Sequence, residues 1–149
     1  MNISEHITYA EATKSQQATR LKLSNDPTAE HLENMKHLAV NVFEPLRTNF
    51  GKPIAISSFY RSEAVNKAIG GVLSSQHLTG EAMDIDAQIF GGLTNKEVFD
   101  WIKANLNFDQ LIWEGGTIEE PDWVHVSLTK HRANRKQCLR MFNGKYFSI

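Results

Sequence analysis

Apolar side chains recur at helical spacing in several parts of the chain. Leucine, methionine, valine and phenylalanine return every three or four positions from about Thr28 to Thr48, which predicts a long amphipathic helix. Residues 94–97, Thr-Asn-Lys-Glu, form a capping-box pattern that opens a second amphipathic helix reaching about position 105. A similar box at Thr8 predicts a short helix near the start. Another short helix is predicted from Arg61 to Ile69, where a pair of glycines ends it.

Short apolar and β-branched stretches predict the strands, most of them in the second half of the chain. Because helices precede strands without a repeating strand–helix–strand pattern, we expect an α+β fold in which helices flank a small antiparallel sheet. No linker-like or repetitive segment interrupts residues 1–149, which predicts a single domain. The predicted strands cover residues 54–58, 82–86, 111–113, 123–128 and 145–148.

Composition narrows the possible functions only slightly. With 41% hydrophobic and 22% charged residues, the chain has the make-up of an ordinary globular protein. The formal net charge of −1 gives no general attraction to nucleic acid or to anionic membranes. The segment after Thr129 carries six basic residues and no acidic one, which is typical of a solvated surface or of a patch that meets an anionic polymer. The single cysteine, Cys138, excludes an internal disulfide and a cysteine-based zinc cluster.

The beginning of the chain has neither a basic region nor an apolar core of the kind found in signal peptides. No apolar stretch approaches the roughly 20 residues that a membrane-spanning helix needs. The protein is therefore expected to be made in the cytoplasm without a signal peptide and not to insert into a membrane.

A metal site is indicated by His77 and Asp84, which stand on either side of Gly80. Glycine allows the chain to reverse between them, so that a ligand before the turn can face one on the following strand. In that strand Asp84 shares a face with the small residue Ala82, which leaves room for an ion. Zinc binds histidine nitrogen and aspartate oxygen readily, and a catalytic zinc site keeps three protein ligands and one open position.

The third ligand is expected from the strand around His125. The alternation Val-His-Val-Ser-Leu at positions 124–128 places His125 on the polar face of that strand. Asp122 lies three positions earlier, so an ideal strand would direct it to the opposite face. It can act as a general base only if the backbone bends there, and Pro121 favours an irregular entry into the strand.

The pattern Ser75-x-His77-x-x-Gly80-x-Ala82-x-Asp84, followed by Asp122-x-x-His125, resembles that of the zinc D-alanyl-D-alanine carboxypeptidases and their phage endolysin relatives. Residues 57–62 resemble the segment of that family that ends in an arginine before a short helix. Residues 4–6 and 42–47 resemble a peptidase subgroup common in phages. The resemblance therefore covers most of the chain.

The resemblance implies the fold shared by D,D-peptidases and the Hedgehog signalling domain, with Zn²⁺ bound by His77, Asp84 and His125. It implies that Asp122 is the catalytic base, and that Arg61 stabilises the carbonyl oxygen or holds a substrate carboxylate. Ser75 would support the site from outside the ligand set. The implied reaction is hydrolysis of amide bonds in peptidoglycan stem peptides.

Three functions remain open at this point. The first is a zinc peptidase, acting as a carboxypeptidase or an endopeptidase. The second is an inactive zinc-fold module that binds cell wall, and the third is a nucleic-acid-binding protein that uses the basic C-terminal segment. We expect a monomer that binds no nucleic acid and acts on the cell wall or in the periplasm, in the phage case after release through a membrane pore.

Overall fold

The computed structural model describes all residues from Met1 to Ile149. Helices and strands alternate in the first two thirds of the chain, and the last third is made of strands. In chain order the elements are β1 (Asn2–Ser4), β2 (Ile7–Thr8), α1 (Tyr9–Thr13), α2 (Gln16–Leu21), α3 (Ala29–Leu38), a π-helical segment (Ala39–Phe43), α4 (Glu44–Phe50), β3 (Ala55–Ser58), α5 (Glu63–Ala68), a 3₁₀ helix (Gln76–Thr79), β4 (Ala82–Asp86), α6 (Asn95–Asn105), β5 (Gln110–Glu114), β6 (Trp123–Ser127), β7 (Gln137–Phe142) and β8 (Lys145–Ser148).

The predicted long helix is present, but it is not uniform. It consists of α3 and α4 joined by the π-helical segment 39–43, and it runs on to Phe50. Pro45 explains the irregular middle, because proline has no backbone N–H to donate and its ring crowds the preceding turn. The capping box of α6 is confirmed, since the Thr94 side chain accepts from Glu97 N while Glu97 accepts from Thr94 N.

The sheet differs from the expected small antiparallel one. It has six strands in the order β3-β4-β6-β5-β7-β8, and β7 runs parallel to β5 while all other neighbours are antiparallel. Strand β7 was not predicted, because Arg140 interrupts the apolar pattern of residues 137–142. The α+β class is correct, but the sheet is mixed and larger than expected.

The two faces of the sheet have different roles. The face covered by the helices, called the helix face below, carries core residues such as Met83, Ile85, Val124 and Val126, all fully buried. The other face, called the open face below, carries the polar alternates of the same strands. On this face, Asp84 of β4 is directly opposite His125 of β6, and His125 is directly opposite Ile112 of β5. The polar side chains of β4 and β6 that could carry chemistry therefore project from the open face.

The N-terminal hairpin β1–β2 is attached to the long helix by one carboxylate. Glu44 accepts from the Ser4 hydroxyl at 2.6 Å and from His6 N at 2.9 Å, and its other oxygen lies 2.6 Å from His6 Nδ1. Glu5, His6 and Glu44 also lie close enough to share an ion. Since these hydrogen bonds already occupy both oxygens of Glu44, the group is explained as a structural attachment.

A second carboxylate holds the long connection between β6 and β7. Asp109 is fully buried and accepts six hydrogen bonds, from Arg132, Arg135 and Gln76. Burial raises the pKa of this carboxyl, but the hydrogen bonds and charges of the two arginines outweigh burial and hold the pKa far below its usual range. Two of the six basic residues in the C-terminal segment therefore serve the fold.

None of the helices is long and apolar enough to cross a membrane.

Candidate metal centre

Asp84 and His125 face each other directly across the centre of the sheet. Strands β4 and β6 are antiparallel with Asp84 opposite His125, so both side chains project from the open face. His125 Nδ1 lies 3.0 Å from Asp84 Oδ1. The strand alternation expected from the sequence around both residues is confirmed.

His77 reaches the same point from the 3₁₀ helix that precedes β4. Gly80 ends that helix with φ +77°, the left-handed conformation that the reversal towards β4 requires. His77 is buried and its Nδ1 lies 2.7 Å from Phe59 O, a carbonyl that can only accept. Nδ1 therefore donates to that carbonyl, and Nε2 is the ring nitrogen that faces Asp84, at 3.4 Å from its Oδ2.

The three side chains fit a divalent metal ion. One ligand atom from each of His77, Asp84 and His125 lies within 4.8 Å of the others. Two imidazole nitrogens and one carboxylate oxygen are the donors that zinc accepts in catalytic sites, where three protein ligands leave a position open. The hydrogen bond from His77 Nδ1 to a backbone carbonyl fixes the ring in the orientation that a ligand needs.

The electrostatics of Asp84 also favour a cation at this point. Burial raises the pKa of this carboxyl, but the charge of His77 and the hydrogen bonds from His125 and His77 outweigh burial and hold the pKa well below its usual range. Asp84 is thus an anion under ordinary conditions. It is a charged candidate ligand in a largely buried position.

Glu114 is a buried acid beside these ligands and was not among the predicted site residues. Its register partner on β6 is Trp123, two residues before His125, so Glu114 projects from the open face on the neighbouring strand. It is 8% exposed, and its carboxylate forms no hydrogen bond or ion pair with another protein group. Burial raises the pKa of Glu114 to about 7, and the nearby charge of Asp84 adds to the rise.

Asp122, the predicted base, lies at the entry to β6, and its carboxylate contacts the preceding loop. It is exposed, and its Oδ2 accepts from Gly116 N at 3.1 Å in the loop between β5 and β6. It precedes β6 by one residue, and its backbone N donates to Glu114 O at 2.9 Å. No hydrogen bond or ion pair joins the Asp122 carboxylate to His77, Asp84 or His125, and its role as the base stays a prediction. Its observed contact stabilises the loop.

Arg61 lies on the β3 side of the ligands. Its backbone N donates to His77 O at 3.1 Å, and its Nη1 donates to Asn66 Oδ1 at 3.0 Å. Burial lowers the pKa of Arg61 and the charge of Asp84 counteracts this, which places the guanidinium within the field of the site. No carboxylate pairs with it at salt-bridge distance. Arg61 thus has donors left for an external anion or carbonyl.

Ser75 supports His77 through the backbone. Its side chain accepts from His77 N at 3.3 Å at the start of the 3₁₀ helix and forms no hydrogen bond with the imidazole ring. The expected location outside the ligand set agrees with this contact. Its effect on the site is to fix the turn that carries His77.

A family model described as Peptidase M15 matches residues 5–127, which contain His77, Asp84, Glu114 and His125. The match ends with β6, so β7 and β8 lie beyond it. No curated protein matches the chain.

Proposed function

Because the chain belongs to the peptidase M15 family, we propose that it is a zinc-dependent enzyme that hydrolyses amide bonds in the stem peptides of peptidoglycan. Membership of the family makes it a metallopeptidase. The observation that carries the proposal further is the arrangement on the open face, where three metal-type ligands stand beside a buried carboxylate without a protein partner.

His77 Nε2, Asp84 and His125 Nδ1 would hold the ion. When bound, zinc would lower the pKa of a water molecule to about 7 and polarise the carbonyl of the scissile bond. The protein groups around it have separate tasks. Phe59 O keeps His77 in the ligand tautomer, and Arg61 donates hydrogen bonds to the developing oxyanion or to a substrate carboxylate.

We assign the general base to Glu114. A base must accept the proton of the attacking water and deliver it to the leaving amine, which requires a carboxylate directed at the reacting atoms. Glu114 is on the ligand face and has no competing partner, whereas the carboxylate of Asp122 is engaged by Gly116 N. The raised pKa also makes Glu114 a better proton acceptor than an ordinary exposed carboxylate.

The other functions considered for this chain have less support. A binding module without activity needs no buried, unpaired acid beside its metal ligands, because such a group costs stability. A nucleic-acid-binding protein would need a free basic patch, but Asp109 engages both Arg132 and Arg135. Action on the cell wall during phage lysis, as a monomer released through a membrane pore, remains part of the proposal.

Digestion of purified peptidoglycan tests the proposal. The zinc-loaded protein is expected to release peptide fragments, and a chelated sample should release none. Mass spectrometry of the fragments identifies the bond, which decides among cleavage at D-Ala-D-Ala, at L-Ala-D-Glu and at a cross-bridge. Binding to the cell wall without any fragment would support the inactive module instead.

Paired variants test the base. Glu114→Gln keeps the shape of the side chain but cannot accept a proton, so we expect kcat to fall by at least about a hundredfold. Asp122→Asn should retain most activity, since an amide oxygen can still accept from Gly116 N. Zinc content measured for both proteins separates loss of the base from loss of the metal. The reverse ranking of the two variants would restore the predicted role of Asp122.

A further inference from the structure

A row of side chains leads away from Glu114 along the open face. Across neighbouring strands the register pairs Trp123 with Glu114, Glu114 with Met141, and Met141 with Tyr146. Cross-strand partners project from the same face, so Tyr146 on β8 lies on the same side of the sheet as the metal ligands. The residues next to it in β8, Lys145 and Phe147, project from the helix face.

Tyr146 presents a largely exposed side chain on the open face. Its side chain is 60% exposed, and its hydroxyl has no hydrogen-bond partner in the protein. Partial burial raises the pKa of Tyr146, and the negative charges of Glu114 and Asp84 raise it further. The phenol therefore faces the same side of the sheet as those two acids. An amphipathic ring with a free hydroxyl on the same face as the metal ligands is suited to contact a substrate.

The structure assigns to Tyr146 the role of a substrate-positioning residue that binds part of the peptide several residues away from the scissile bond. This inference rests on the proposed function and extends it. Strand β8 lies outside residues 5–127, so the family match gives no role to Tyr146. The phenol hydroxyl would donate to a backbone carbonyl of the substrate, and the ring would cover one of its side chains.

The dimensions of the sheet fit this role. From β6 to β8 there are three strand spacings, about 14 Å at roughly 4.8 Å each. An extended peptide advances about 3.3 Å per residue, so about four residues span that distance. Arg61 lies on the other side of the ligands, towards β3, so binding groups flank the reaction centre on both sides. A peptide that crosses the strands can therefore extend past the cleaved bond in both directions.

The test compares substrates of different length. The shortest stem-peptide fragment that the wild-type zinc enzyme hydrolyses is assayed beside the same fragment extended by three residues on its N-terminal or its C-terminal side. One of the two extensions is expected to raise kcat/KM, mainly through a lower KM. Tyr146→Ala should remove about tenfold of that gain, the equivalent of one hydrogen bond and one ring contact, and leave the short fragment unaffected. Tyr146→Phe should remove only the share that belongs to the hydroxyl.

Phe147→Ala is the matched control, because Phe147 is on the same strand, similarly exposed, and projects from the opposite face. It should leave both substrates unchanged, and thermal unfolding of all variants verifies that they fold. Equal loss for short and extended fragments in Tyr146→Ala, or no gain from either extension in the wild type, would overturn the inference while the peptidase remains. If the wild type hydrolyses no fragment at all, the proposed function fails, and this inference with it.

Discussion

Replacement of Asp109 by asparagine should destabilise the protein strongly although the side chain changes by only one atom. The two carboxylate oxygens each accept three hydrogen bonds. Oδ1 accepts from Arg132 Nη1 and from Arg135 N and Nε, and Oδ2 accepts from Arg132 Nη2, Arg135 Nη2 and Gln76 Nε2. In either orientation, the amide nitrogen of an asparagine would face three donors.

The expected loss in free energy of unfolding is about 3 kcal/mol. A hydrogen bond to a charged group contributes about 1.5–3 kcal/mol, and removal of one partner from a buried ion pair costs about 3–5 kcal/mol. The lower end applies because the two arginine side chains are about half exposed, at 49% and 50%, and can turn towards water. For a chain of this size the loss corresponds to a decrease in Tm of about 6–12 °C.

Urea unfolding of the metal-free proteins measures the difference directly. Asp100→Asn is the matched control, because Asp100 pairs with Lys96 on the surface of α6 where both side chains are half exposed. The control should be indistinguishable from wild type. A loss below about 1 kcal/mol for Asp109→Asn would refute the conclusion that this carboxylate holds the β6–β7 connection.

The pH dependence of the free energy of unfolding tests the direction of the Asp109 pKa shift. The folded-state pKa of Asp109 is depressed, so its contribution is fully present above the ordinary value of 3.8 and is lost progressively as pH falls below it. The difference between wild type and Asp109→Asn should therefore be constant from pH 5 to pH 8 and shrink under more acidic conditions. A difference that grows with acidity would contradict the assigned direction of the pKa shift.

Two further predictions concern the site. Gly80→Ala should lower the free energy of unfolding by about 2 kcal/mol or more, because φ is +77° and the added Cβ would lie 2.6 Å from both His31 O and Met35 Cγ. Gly91→Ala is the control and should cost less, since Gly91 has φ +74° but open space around it. Equal losses for the two variants in urea unfolding would count against the close packing at Gly80. In the metal-free protein the pKa of Glu114 is raised from 4.5 to about 7, so the free energy of unfolding falls as pH rises through that range. Above pH 7, Glu114→Gln should therefore be more stable than wild type by about 3 kcal/mol. The same gap at pH 5 and pH 8 would show that burial does not perturb Glu114.

The candidate ligands could be placed on a common face from the sequence because their constraint is local. Gly80 and the polar alternates of β4 and β6 already define which residues can face a common point, and the register adds only the pairing of Asp84 with His125. Glu114 was missed because it ends an apolar strand, where an acid resembles an ordinary boundary residue. One feature does place it on the ligand face: Glu114 lies two positions after Ile112, the neighbour of His125, and alternate residues of a strand project from the same face.

The mixed sheet could not be predicted for a different reason. The parallel pairing of β5 with β7 follows a connection of nine residues, 128–136, that carries the chain from β6 to the other side of β5. The path of this connection depends on the ion pairs of Arg132 and Arg135 with Asp109. The partners are more than twenty residues apart in the chain, so no local periodicity of the sequence predicts the contact. The basic residues of this connection resemble a solvated surface in the sequence, while the structure uses two of them to fix a strand order.

The position of Asp84 opposite His125 also has a kinetic consequence. The two candidate ligands are 41 residues apart in the chain, yet they meet across the strand pair β4–β6. A metal ion can be held tightly only while that pair is closed, because an open chain offers the ligands singly. Fraying of the N-terminal hairpin or of β8 leaves the ion in place. The rate at which a coloured chelator captures the released metal therefore measures the lifetime of the folded centre of the sheet.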